Sequence, residues 1–292
     1  MALFNTWEGL KRIAVTISIC IVFCLASTSS FSEHYLSNEY QKRNKILFDS
    51  MWEGVRSNVK KSKLTNSKVI IYTGISLWGN EKWSMGDAKN LSSALKSYYS
   101  DHYFQEFIFS NDEIDNLPVL YPSAMFDLIH RHFNRIKNLT SIDDLVVIGF
   151  FSHGQKGALP LRLGENIGNK GQPNGVMFSN NIKEFLYPLK DTNVLLIISA
   201  CYSGSFIQPL KSSNIVIATA SSSDKTSKGC RPLSTGTFFV NNLLATIKKE
   251  KINSQHSIIS VLHENRKVIN IKEKWKEKSL PQVFVGNEFM NY

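Results

Sequence analysis

Between residues 68 and 219 the chain runs through five short apolar stretches, 68–72, 104–109, 144–151, 193–199 and 215–219. Such runs are too short for buried helices and too uniformly apolar for strands with one wet face, so each is expected to be a strand buried on both sides. Helical spacing fills the gaps. Leu91, Ala94, Leu95 and Tyr98 mark a helix over 87–99, and Met125, Phe126, Ile129 and Phe133 mark one over 122–137 with Pro122 near its first turn. Further helices are expected at 182–187, 237–249 and 257–275, with a last short strand at 282–285. Strands alternating with helices give an α/β fold: three layers, a mostly parallel sheet covered by helices on both faces.

An open sheet of this kind keeps its site at the carboxyl ends of its strands. Two of the apolar runs end there on chemistry: LVVIGFFSHGQKG delivers His153, and NVLLIISACYSGSF delivers Cys201. The two lie about one strand-helix-strand unit apart, so parallel neighbouring strands would bring both side chains to one edge. A thiol and an imidazole held together, each followed by glycine-rich turn sequence, point to a cysteine nucleophile with a histidine general base. The longest irregular segment, 154–178, contains Gly157, Gly164, Gly168, Gly171, Pro173 and Gly175 and follows the candidate base. It reads either as a loop that covers or lines the substrate or as a plain surface loop.

With 42% hydrophobic residues the 292-residue chain has enough apolar material for a full core. Its formal charge of +10, from 34 Lys and Arg against 24 Asp and Glu, is spread along the chain, with clusters at 60–63, 248–251 and 272–278. Solvated helix faces account for these clusters more simply than nucleic acid or anionic lipid does. No zinc-finger spacing, P-loop or dinucleotide fingerprint is present, and CYSGS does not form the G-x-S-x-G of a serine esterase. His102, His130 and His132 lack carboxylates at ligand spacing, so neither a metal nor another cofactor is expected. Asn138-Leu139-Thr140 is a glycosylation sequon by pattern, meaningful only in a eukaryotic secretory route.

The first 32 residues read as an export signal: Lys11 and Arg12, an apolar segment over 13–26, then the small polar run 27–30. The segment is short for a membrane span, and cleavage is expected between 26 and 32; left uncleaved, it would anchor the chain to the inner membrane. The expected location is periplasmic or secreted. A charged helical lead-in follows over 33–65, with Ile46, Leu47, Met51, Trp52 and Val55 as its apolar residues, and one catalytic domain over 66–292. Cys20 and Cys24 fall within the signal, so the processed chain keeps Cys201 and Cys230. Catalysis by Cys201 is the leading reading of this pair; a disulfide between the two, or a packing role for Cys201, are the others.

The order strand, SHG, loop, strand, ACYSGSF, then IVIATASSSDKTSKGC resembles the legumain-type C13 family of caspase-like cysteine peptidases, and its bacterial members more than legumain itself. The similarity spans roughly 69–239, with VIIYTG, NDEIDNLPVL and SLPQVFVGNEF as weaker matches. It implies a caspase-like fold, a peptide or protein substrate, His153 as general base or acid, Cys201 as nucleophile, and the backbone N–H groups of Gly154 and Cys201 as oxyanion hole. Ser227 matches a pocket-lining serine of the family, with Asp224 and Thr226 beside it. Tyr202 stands where legumain has an acidic residue. The resemblance therefore implies a pocket for a polar side chain with a weaker preference for asparagine. Thr73 is the nearest positional match to the asparagine that orients the histidine in legumain, and no better third group is evident in the sequence. Relatives of this type also act as transpeptidases or transamidases. A catalytically silent peptide-binding relative and an exported polyanion-binding protein are the readings from other classes. Oligomeric state is not legible.

Overall fold

The computed structural model describes residues 37–114, 117–118, 120–163, 173, 175–231, 234–253 and 257–290. The expected export signal, and residues 33–36 of the lead-in, lie outside the described residues. Six strands form the central sheet, in the order β10-β9-β8-β5-β1-β2: β1 (Val69–Ser76), β2 (Tyr103–Ser110), β5 (Leu145–Phe151), β8 (Asn193–Ser199), β9 (Ile215–Thr219) and β10 (Gln282–Val285). All pairings are parallel except β10 with β9.

Side-chain parity shows the three layers. Ile70, Tyr72, Leu145, Val147, Leu195, Ile197, Val216 and Ala218 belong to one apolar cluster with helices α3 (Lys82–Tyr98), α7 (Phe238–Asn253) and α8 (Ile258–Lys272). Residues of opposite parity face the other side, where Thr73 Oγ1 meets His132 of α4 (Phe126–Lys137) at 2.9 Å and Phe107 and Phe109 pack edge-on against the same imidazole. Ile71, Val146, Ile148, Leu196 and Ile198 are equally buried there. Helices on both faces explain why β1, β5, β8 and β9 read as continuous apolar runs and not as alternating ones. This is the three-layer, caspase-like arrangement that the resemblance implies.

The lead-in is two helices, not one. α1 (Asn38–Met51) and α2 (Val55–Leu64) are separated at Gly54, whose φ of +71° suits glycine and interrupts the helix. The buried stripe of α1 is Tyr40, Asn44 and Phe48, while Ile46, expected on the apolar face, is 56% exposed. Tyr40 hydrogen-bonds Ser123, Asn44 Oδ1 accepts from the Ser123 N–H, and the Trp52 ring packs tilted against Phe107 at 4.5 Å, so the described lead-in packs within the same compact unit as the sheet.

Several boundaries move. β1 extends past 72 through Thr73, Gly74, Ile75 and Ser76, of which Gly74 and Ser76 are weak strand formers but are fully enclosed between β2 and β5. α4 begins at Phe126, so Pro122 stands ahead of the helix and its carbonyl accepts from the Ser110 N–H. Within the expected irregular segment 154–178, β6 (Ala158–Leu161) pairs antiparallel with β7 (Gly175–Phe178), which leads directly into α5 (Ser179–Leu186); the short helix α6 (Ile207–Leu210) follows the turn after β8. A second small ladder joins β3 (Glu113–Ile114) and β4 (Leu117–Pro118). Among the described residues, no helix is long and apolar enough to cross a membrane.

Candidate active site

In-register pairing of Phe151 with Ser199 sends the two chains out of the sheet side by side, and two residues further along each stand His153 and Cys201. The two turns touch. A Cβ placed on Gly154 would lie 2.0 Å from the Cys201 carbonyl oxygen and 2.9 Å from the Ala200 Cβ, so only glycine permits this approach. Among the described residues, neither the Gly154 nor the Cys201 backbone N–H has an acceptor.

The turn after β8 is held from beneath by reciprocal serine contacts. Ser203 N–H donates to Ser221 Oγ, Ser221 N–H donates to Ser203 Oγ, and Ser221 Oγ donates to the Ala200 carbonyl. Tyr202 takes the left-handed conformation, φ +56°, and its N–H donates to the Lys225 carbonyl at 2.8 Å. A non-glycine residue held there stores strain that the surrounding bonds must hold in place. Ser205 Oγ accepts from Gly157 N–H, tying this turn to the one after His153.

Deeper in, Asp87 of α3 accepts from Thr237 N–H (2.9 Å) and Thr237 Oγ1 (2.7 Å), and Ser199 Oγ is 3.5 Å from the same carboxylate. Burial pushes the Asp87 carboxyl up to about 7 against the lowering effect of those bonds.

Ser227 sits between the two thiols, its Oγ 3.7 Å from Cys201 Sγ and 3.8 Å from Cys230 Sγ. Both cysteines are free thiols, and burial pushes Cys230 up to about 12. Ser227 therefore touches the candidate nucleophile itself. Asp224 is exposed, with Ser222 Oγ donating to it at 2.7 Å and Lys225 Nζ at 3.8 Å; the Ser222 bond holds its carboxyl below the ordinary value. The structure corrects the placement of Thr73. It lies inside β1, fully buried on the α4 face and bonded to His132, and cannot reach substrate or His153.

What the sequence did not mark is the wall around His153. The imidazole packs edge-on against Trp78 (4.6 Å) and Trp83 (5.3 Å), and its Nε2 lies 3.6 Å from Glu81 Oε2. Both indoles donate to that carboxylate, Trp78 to Oε1 at 2.9 Å and Trp83 to Oε2 at 2.6 Å, and Arg162 approaches Oε1 at 3.7 Å. Burial pushes the His153 imidazole below the ordinary histidine value, an effect Glu81 opposes and Arg162 reinforces. The signal that could have found this group is WGNEKW, an acid flanked by two tryptophans just past the end of β1. Among the described residues, no cluster of three or more His, Cys, Asp or Glu could hold a metal ion.

A thiol and an imidazole on the turns after neighbouring parallel strands of a caspase-like sheet match the arrangement expected of a cysteine peptidase. A model of the Peptidase C13 family matches residues 134–291, more than half of the chain and the part that carries β5, β8 and both turns. The chain belongs to the Peptidase C13 family, the legumain-type cysteine peptidases, so its substrates are peptides or proteins. Among curated proteins none matches the chain.

Proposed function

We propose that the chain is an exported cysteine endopeptidase in which Cys201 attacks the scissile carbonyl and His153 moves the proton. The observation that carries this reading is the packing of Gly154 on the Cys201 carbonyl, which joins the two turns, with both backbone N–H groups without an acceptor among the described residues. The imidazole, kept neutral near pH 7 by its burial, takes the thiol proton as the C–S bond forms. The N–H groups of Gly154 and Cys201 receive the oxyanion. The imidazolium then gives its proton to the leaving amine as the C–N bond breaks. Water, deprotonated by the same imidazole, attacks the thioester and frees the acid and the thiol. Ser227 and Tyr202 are the pocket residues in this reading, with Asp224 at its exposed rim. The apolar segment 13–26 supports export, to the periplasm or beyond.

The test is hydrolysis of a mixed peptide library by the full chain, read by mass spectrometry. Cleavage that disappears in Cys201→Ala and in His153→Ala is expected. Undiminished cleavage by Cys201→Ala would end the reading.

A further inference from the structure

Building on the Cys201 and His153 assignment, we propose that Glu81 is the positioning residue for His153, holding the imidazole through Nε2 and leaving Nδ1 as the nitrogen that exchanges the thiol proton. Glu81 is the N-cap residue of α3, yet its side chain makes no capping bond. It turns away from the helix instead and gives each of its oxygens to a separate indole donor, with Arg162 alongside. That spends a good acceptor on the site and not on the orphan N–H groups of the first helical turn.

The same two indoles do a second job. They stand edge-on to the His153 ring, at 83° and 75°, and so fix its plane while they fix the carboxylate. Backbone ties secure the wall: Gly79 N–H donates to the Arg162 carbonyl and Arg162 N–H to the Leu77 carbonyl, both at 2.9 Å. Ring plane and carboxylate are thus set by one pair of side chains, and the Nε2 to Oε2 contact follows from that geometry.

At 3.6 Å the contact is electrostatic, longer than a hydrogen bond in the resting site. Once the imidazole takes a proton its two N–H groups are both donors, and the contact tightens against a carboxylate. With the Nε2 proton directed at Glu81, the lone pair sits on Nδ1. The proton from the Cys201 thiol goes to Nδ1 and from there to the leaving amine, and Glu81 takes no part in the transfer. Among the described residues, the charged groups acting on His153 are Glu81, from the loop before α3, and Arg162, just past β6; Cys201 follows the neighbouring strand β8. Glu81 favours the imidazolium and Arg162 opposes it.

Glu81→Gln in the full chain tests this by three readouts: kcat and KM on a cleaved peptide, the His153 titration midpoint by NMR, assigned through its loss in His153→Gln, and thermal stability. Expected are a kcat lower by about 10- to 100-fold with KM nearly unchanged and a His153 midpoint displaced to lower pH. A purely structural role would lower stability and leave the midpoint in place. Glu81→Asp keeps the charge but withdraws it by one methylene. It is expected to move kcat and the midpoint in the same direction by less, and it serves where Glu81→Gln does not fold. An unchanged midpoint in the folded variants overturns the proposal. If the wild-type chain cleaves nothing, the peptidase reading falls, and the His153 midpoint alone still decides whether Glu81 positions the imidazole.

Discussion

At the scale of single residues, the site depends on a contact that admits no side chain. Gly154→Ala would drive a methyl group into the Cys201 carbonyl, where the obstructing atom is backbone and cannot rotate aside. Displacing the turn by even an ångström is expected to lower turnover by about 100-fold, and overpacking to cost about 1–3 kcal/mol of stability; peptide kinetics and urea unfolding measure the two. Cys201→Ala and His153→Ala should each remove at least about 10⁴-fold of activity, and the double variant should cost little more, because the two groups act as one unit. Ser227 contacts the Cys201 thiol as well as Cys230. Ser227→Ala is therefore expected to slow the reaction and broaden the residue preference together, read from a peptide-library profile; a change in neither would place the pocket elsewhere.

Two buried titratable groups set how the secondary-structure elements respond to pH, with opposite signs. His132 joins α4 to β1 and is held neutral, its imidazole pushed well below the usual value by burial and by Arg135. Its contribution is intact above the unfolded value of about 6.5 and is lost as pH falls. Asp87 joins α3 to the start of α7 and is pushed up to about 7. Its contribution is intact below about 4 and is lost as pH rises through about 7. Urea unfolding from pH 4 to 8 should show that Asp87→Asn flattens the decline on the alkaline side and His132→Gln the decline on the acid side. Neither group was legible as a linchpin in the sequence, because period alone places both on helix faces and only the fold shows what lies opposite. The strands were legible where burial on both faces made them uniformly apolar. β1 was underestimated because Gly74 and Ser76 become strand through their neighbours in the sheet, and β6 with β7 because glycines obscured their antiparallel pairing.

For the whole molecule, the lead-in belongs to the body of the domain: Phe48 of α1 and Trp52 of the turn after it cover Phe107, Phe109 and His132, and Tyr40 of α1 bonds Ser123. Exposing several large side chains at roughly 1.5–3 kcal/mol each is comparable to the stability of a typical domain. Deleting residues 37–65 is therefore expected to give an unfolded or aggregating protein by circular dichroism, not a smaller active one. The pair at the sheet edge was visible from sequence because strand ends and motif residues coincide at His153 and Cys201. The wall of Trp78, Glu81, Trp83 and Arg162 was not, since it comes from the loop and first turn of α3 and from the residue after β6, brought together by backbone ties and by the Arg162 contact with Glu81. The most direct test of the central claim is the intact mass and mapped adduct of the full chain after reaction with an electrophilic peptide at neutral pH. One adduct is expected, on Cys201, formed far more slowly in His153→Ala. Equal labelling of Cys230, or a Cys201 rate indifferent to His153, would contradict it.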